Sequence, residues 1–307
     1  MEYDVIGDIH GQAGKLGALL AKLGYVDRGG LWIPPHGRQA VFLGDLIDVG
    51  PAQILVVDRV RRMVDAGYAR CIMGNHEFNA IGYVSPRLDG SGDFLRKNSK
   101  TNQDQHTEFL RQVGAGSALH RDLVKWFRTL PPALDLGGIR VVHAWWHNPY
   151  VERVGGQWGG DIPMSDDFLY RAYDKQNPEW QAMEGLTKGL EVRLPPGHSF
   201  FDHSNVERFD VRTKWWLTEA TRYRDVALIG ETERQKLPDA ALPATFAPLP
   251  ITGSPVFVGH YWMSGTPMAQ SSKVACLDYS AAKSGPLVAY RWMGEEEIAS
   301  DNFVQAG

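Results

Sequence analysis

An α/β fold with a largely parallel sheet is the class this sequence predicts, and three observations carry it. Apolar, β-branched-rich runs recur at Tyr3-Asp4-Val5-Ile6, Ala40-Val41-Phe42-Leu43 and Arg70-Cys71-Ile72-Met73. Between the first two, Leu16, Leu19, Leu20 and Leu23 repeat at helical spacing, with Gly24 as a stop. Between the second and third, Pro51 suits a first helical turn, and Ile54, Leu55, Val57, Asp58, Val60, Arg61 and Val64 alternate faces as an amphipathic helix does. Strands alternating with helices imply parallel pairing through right-handed crossovers.

The later elements follow with less regularity. Residues 85–103 are rich in Gly, Ser, Lys and Asn and read as a long loop, of the kind that often forms a lid or binding loop. Helices are expected at 104–114 and 118–129. Pro131-Pro132 then turns the chain into a hairpin, 133–136 and 139–143, around Gly137-Gly138. Beyond Asn148-Pro149 the pattern loosens into several prolines and an aromatic helix candidate at 213–223. Residues of roughly 150–255 therefore read as an insertion or cap within one domain spanning 1–307. From Pro255 short strands resume.

Composition narrows the class. With 43% apolar and 22% charged residues over 307, the chain can bury a sizeable core. A net charge of −4 gives no electrostatic case for a nucleic-acid partner. No run of 18 apolar residues exists, so no membrane span is expected, and a first strand beginning by Tyr3 leaves no room for a leader. A cytoplasmic protein is the expectation. Cys71 and Cys276, each inside an apolar run, read as buried free thiols.

Five short blocks carry the chemistry. Gly7-Asp8-Ile9-His10-Gly11, Gly44-Asp45-Leu46-Ile47-Asp48, Gly74-Asn75-His76-Glu77, His143 and Gly259-His260 each stand where a strand should end. Open α/β sheets place their sites at such carboxyl ends. Asp, Asn and neutral His are the oxygen and nitrogen donors that suit manganese, iron or zinc, and no thiolate is among them. The glycines serve tight strand-to-loop turns.

In this order the blocks resemble the calcineurin-like metallophosphoesterases, most closely their phosphoprotein-phosphatase-like branch. That family reads Asp-x-His-Gly, Gly-Asp-x-x-Asp, Gly-Asn-His-Glu or Gly-Asn-His-Asp, and then two later histidines. The run from Val274 to Tyr290 is similar to its closing strand pair. The resemblance implies a layered β-sandwich flanked by helices and two divalent metal ions, manganese first, with iron, zinc, nickel or magnesium as alternatives. It further implies that Asp8, His10 and Asp45 hold one metal. Asp45, Asn75, His143 and His260 would hold the other, with Asp45 bridging. Water activated between the metals would attack a phosphate ester, His76 would protonate the leaving group, and Asp48 would orient His76.

Two departures stand out. The branch carries Arg directly after the second Asp of its second block, as a phosphate clamp; here that residue is Val49. Arg87, Lys97, Lys100 and Arg193 are the candidate replacements. Many metallophosphoesterases continue Gly-His-x-His, whereas His260 is followed by Tyr261-Trp262; the phosphoprotein-phosphatase branch also lacks that last histidine. Trp145, Trp146 and His147 after His143, and Trp262, would form either a flat wall for a nucleobase or ordinary core packing. Asp4 reads as a strand-edge charge, and His36, His106, His120, His198 and His203 as surface or loop residues.

The function expected is hydrolysis of a small or nucleotide phosphate ester, since a cap encloses a small ligand better than a protein surface. A phosphoprotein phosphatase is the alternative, and a non-catalytic binding scaffold the rival of another class. A dinucleotide-binding oxidoreductase is excluded, because no glycine-rich fingerprint follows the first strand.

Overall fold

The computed structural model describes residues 1–158, 163–202, 206–246 and 248–307, so His203 lies outside the described residues. These residues form two compact units, Met1–Lys188 with Ser254–Gly307, and Gly189–Gly253.

The larger unit opens as expected: β1 (Glu2–Ile6), α1 (Ala13–Lys22), a small hairpin β2 (Val26–Arg28) and β3 (Leu31–Ile33), β4 (Arg38–Phe42), α2 (Gln53–Asp65) and β5 (Ala69–Cys71). There follow α3 (Asn75–Val84), α4 (Lys100–Val113), α5 (Ala118–Phe127), the hairpin β6 (Ala133–Asp135) and β7 (Arg140–Val142), then α6 (Asn148–Gly155), α7 (Asp166–Tyr173) and α8 (Pro178–Lys188). Thus the first part of the 150–255 segment is helical and belongs to this unit.

The smaller unit contains β8 (Glu191–Arg193), β9 (Phe200–Phe201), β10 (Glu207–Arg208), β11 (Asp210–Arg212), α9 (Tyr223–Val226) and α10 (Glu231–Lys236). Its strands pair as two antiparallel ribbons, β8 with β11 and β9 with β10, over a core of Val192, Leu194, Phe200, Val211 and Tyr223. The helix expected at 213–223 does not form. β11 runs on into bridges that spend the backbone of this stretch across the fold: Thr213 faces Ala227, and the Lys214 amide donates to the Val226 carbonyl (2.7 Å). Trp215 and Trp216 are buried in the turn that follows.

The larger unit closes with β12 (Val256–Val258), β13 (Val274–Cys276), β14 (Leu287–Trp292) and β15 (Phe303–Ala306). Its strands make two sheets. One has the order β15-β14-β1-β4-β5, with β1, β4 and β5 parallel; the other is β13-β12-β7-β6, with only β6 antiparallel. The expected closing strand pair is therefore divided: β13 joins one sheet and β14 the other. Val5, Val41, Ile72, Val288 and Tyr290 of the first sheet meet Val141, Phe257, Ala275 and Leu277 of the second in one buried cluster. This is the layered sandwich, and Cys71 and Cys276 lie free and buried within it, one per sheet.

Asp4 corrects the reading of an edge charge. β1 is an inner strand, and Asp4 is fully buried, accepting from Arg38 (2.8 and 3.0 Å) and Tyr25 (3.1 Å), with Arg291 at 3.2 Å. A buried carboxylate is tolerated when it is paired in this way. Among the described residues no helix is long and apolar enough to cross a membrane.

Candidate metal centre

Five strand ends, three from one sheet and two from the other, deliver the polar residues to one place. Asp8 and His10 follow β1, Asp45 follows β4, Asn75 begins α3 just after β5, His143 follows β7 and His260 follows β12. All six are buried. Four of them, with the half-buried His76, place donor atoms in two groups, His10-Asp45-His76 and Asp45-His143-His260, each within 4.8 Å of one another and sharing Asp45. Asp8 approaches from beneath, its Oδ2 accepting the His260 amide (2.9 Å).

The imidazoles are oriented from behind. His10 Nδ1 donates to the Ile47 carbonyl (2.8 Å), and His143 Nδ1 to the Leu43 carbonyl (2.7 Å). A carbonyl only accepts, so in the neutral rings the Nε2 lone pairs point inward. His143 Nε2 then stands 3.1 Å from Asn75 Oδ1 and 3.3 Å from Asp45 Oδ2, and His10 Nε2 lies 3.6 Å from Asp45 Oδ2. Acceptor atoms converging in this way require a proton or a cation between them. Asp8 Oδ1 and His10 Nε2 are buried without a hydrogen-bond partner. Burial, then Asp278 and Asp45, pushes the Asp8 carboxyl well above its ordinary range. Burial works against charge on His143, yet Asp45 and Asp8 raise it to about 10. The same negative field binds cations, and proton and metal compete for it. The residues present fit a pair of divalent cations.

Backbone shape serves the same end. His10, Asp45, Asp48, Val49, His260 and Trp262 all adopt positive φ, a clustering of left-handed residues that marks functional sites. Two glycines do more than turn the chain. A Cβ on Gly74 would meet Asp45 Oδ1 at 2.2 Å, and one on Gly259 would meet Asp8 Oδ1 at 1.9 Å. They are the seats of the two carboxylates.

His76, which starts α3 beside Asn75, donates from Nδ1 to Asp48 Oδ2 at 2.6 Å, while its Nε2 lies 3.8 Å from Asp45 Oδ2. Burial disfavours the imidazolium, but Asp45 and Asp48 outweigh it and raise His76 to about 9. Against its own burial, Asp48 is held down to about 2 by His106 and His76.

Several residues carry work that the sequence reading did not assign to them. Glu77 accepts the amides of Asp45 (2.8 Å), Leu46 (2.8 Å) and Gly74 (3.0 Å), tying two ligand loops together. Burial and the nearby Asp45 charge push it up to about 7. Asp278 accepts the Trp262 (2.8 Å) and Ser280 (2.9 Å) amides, and burial raises it too. His106 and His120 are buried, at 4% and 3% exposure, not on the surface; His36 and His198 are exposed as expected. His106 packs between Tyr83 and Phe109, and His120 edges onto Phe109, because α4 and α5 turn these faces inward.

The substrate candidates divide. Trp145 and Trp146 are buried; Trp145 stacks on His147 (4.5 Å between centroids), and Arg140 lies over Trp146. Trp262 is 41% exposed, with the Lys283 ammonium 4.2 Å above its ring. Arg87 pairs with Asp89 (3.5 Å), Lys100 with Asp104 (3.4 Å), and Lys97 is exposed; none of the three hydrogen-bonds a candidate ligand among the described residues. Arg193 belongs to the smaller unit, where it pairs with Asp210 (2.8 Å). Arg96, between those candidates in sequence, is half-buried and donates to Asn102 (3.1 Å) and Gln105 (2.9 Å); burial depresses it while charges including Asp48 support it.

The chain is 46% identical over 160 residues to the bis(5'-nucleosyl)-tetraphosphatase PrpE of Geobacillus thermodenitrificans, covering 50% of this chain and 61% of that protein. It is 43% identical over 76 residues to PrpE of Bacillus subtilis, covering 25% and 31%. The chain thus spans about three-fifths, or less, of the length of these relatives. A cold-active protein-tyrosine phosphatase of a psychrophilic Shewanella aligns over 100% of this chain and 80% of its own, at 15% identity and a TM-score of 0.46. The sequence profile of the calcineurin-like phosphoesterases matches residues 1–209, a span that contains the first four polar blocks, and the chain belongs to that family.

Proposed function

We propose that this chain is a dinuclear metal-dependent hydrolase of nucleotide phosphate esters. One observation carries the reading: two groups of donors, all buried but the half-buried His76, converge on a single shared carboxylate, Asp45. Asp8, His10 and Asp45 would hold one divalent cation, and Asp45, Asn75, His143 and His260 the other, with manganese the metal we assign. Two cations bound there neutralise phosphoryl oxygens and acidify a water.

The chain's own residues supply the rest. His76 donates from Nδ1 to the Asp48 carboxylate at 2.6 Å, and that negative partner, to which no cation is assigned, favours the protonated ring. Nε2 is the atom left to give a proton to the departing oxygen. His76 is about one-fifth exposed, enough for substrate to reach it from a site whose ligands are sealed. Of the aromatic candidates, Trp262 has a face at the surface and is the one we assign to stacking against a base, with Lys283 above the ring able to meet phosphate. The nucleotide class is supported by the naming of the PrpE relatives.

The test is hydrolysis of p-nitrophenyl phosphate, bis(p-nitrophenyl) phosphate and a dinucleoside tetraphosphate by metal-stripped protein, with and without added Mn²⁺, beside Asn75→Ala and His76→Ala. Mn²⁺-dependent turnover with the tetraphosphate preferred, abolished in Asn75→Ala, is the expected result, while His76→Ala is expected to lose most on esters whose leaving group needs a proton and least on the p-nitrophenyl esters. Preference for a phosphopeptide added to the panel would move the assignment to a phosphoprotein phosphatase. Two bound metals without turnover would favour a binding scaffold.

A further inference from the structure

Nothing in the sequence marks His106, which stands within α4 with no motif around it. The fold buries it and brings its Nδ1 to 2.9 Å from Asp48 Oδ1. A carboxylate oxygen without a proton only accepts, so Nδ1 of His106 is the donor. The other oxygen, Oδ2, receives His76 Nδ1 at 2.6 Å. One buried carboxylate is therefore gripped by two imidazoles carried on different helices, α3 and α4. Its backbone is fixed as well, since the Asp48 amide donates to Gln53 Oε1 (2.9 Å). The His106 ring cannot drift, because Tyr83 and Phe109 lie 5.2 and 5.0 Å from it, centroid to centroid.

We propose that His106 is a positioning residue for the proton donor, fixing the Asp48 carboxylate so that Oδ2 faces His76. The inference rests on the reading above that His76 protonates the leaving group. The terminal torsion of an aspartate is soft and roughly two-fold, so a carboxylate held at one oxygen can swing. A buried oxygen left bare also carries a desolvation penalty, which the chain relieves by turning or by admitting water. A donor on Oδ1 removes both escapes. His76 then presents Nε2 in one direction. In the step itself a water oxygen bonds to phosphorus as the P–O bond to the leaving group breaks, the Nε2 proton passes to the departing oxygen, and the Nδ1 proton stays on His76, donated in a hydrogen bond to Asp48.

Two aryl esters separate positioning from general stability. p-Nitrophenoxide departs as a stabilised anion and needs little help; phenoxide needs the proton. With the Mn²⁺-loaded full chain, His106→Phe is expected to lower kcat on phenyl phosphate by about tenfold while p-nitrophenyl phosphate stays within about twofold, with KM little changed. His106→Asn, which places an amide N–H near the position of Nδ1, is expected to restore phenyl phosphate turnover. Equal loss on both esters, no loss, or failure of Asn to restore would overturn the proposal. Should the Phe variant not fold, His106→Gln replaces it, its amide being one bond too long for Oδ1; identical rates for Gln and Asn then overturn the idea. His76→Ala run in parallel distinguishes the two readings. If it spares p-nitrophenyl phosphate and the His106 variants do not share that selectivity, only this inference fails. If His76→Ala loses both esters alike, the proton-donor reading itself fails.

Discussion

Val49 is a β-branched residue at φ +75°, exposed at 54%, directly after Asp48, which accepts a hydrogen bond from His76. L-residues other than Gly, Asn and Asp enter this region at a cost of about 1–2 kcal/mol. Val49→Asn relieves that strain without adding glycine's entropy, and is expected to raise stability by about 1 kcal/mol in urea unfolding. Asp48 gives a second test. Its pKa is about 2 when folded, against roughly 3.9 for an unfolded aspartate. The depressed value means its contribution is complete above about pH 4 and is lost as pH falls through about 2, an amount on the order of 2 kcal/mol. Unfolding free energies of the wild type minus those of Asp48→Asn should therefore shrink across that window; a flat difference would count against the His76-Asp48-His106 cluster. At this scale the ligand blocks were legible, because each couples a donor to a strand end within a few residues. His106 was not, since its partner lies 58 residues away and only the packing of α4 brings them together.

Short-range chemistry fixed the elements of the first half, whose Leu and Val periodicities became α1 and α2 and whose apolar runs became β1, β4 and β5. It misjudged 213–223, where cross-strand bridges used the backbone first, and it gave Gly74 and Glu77 less than their due. Glu77 sits in the first turn of α3, where its carboxylate accepts the Gly74 amide that precedes the helix while also holding the Asp45 loop. Glu77→Ala would leave three buried amides without an acceptor, and a loss of at least about 3 kcal/mol in denaturant unfolding is expected. Gly74→Ala puts a methyl group into the Asp45 carboxylate. Its expected outcome is a folded protein depleted of both metals, read by metal analysis after dialysis.

The molecule as a whole should respond to metal as one system. Because Asp45 belongs to both donor groups, Asp45→Asn is expected to abolish both bound equivalents, whereas His10→Ala should remove one. Loading at about 100 times the dissociation constant stabilises a folded state by about 2.7 kcal/mol, so chelation should lower the thermal midpoint of the wild type and leave that of Asp45→Asn unmoved. The division of β13 and β14 between sheets was invisible in sequence for a related reason: which sheet a short apolar strand joins depends on partners far along the chain. That division has a mechanical consequence. Asp8, His10, Asp45 and Asn75 hang from one sheet, and His143 and His260 from the other, with Val141, Phe257, Val41 and Tyr290 filling the gap. The hydrocarbon filling is thus a spacer gauge for the proposed ligand cage. A core substitution that thickens it by one methylene would spread the two jaws, detuning the grip on an ion well before the fold itself gives way.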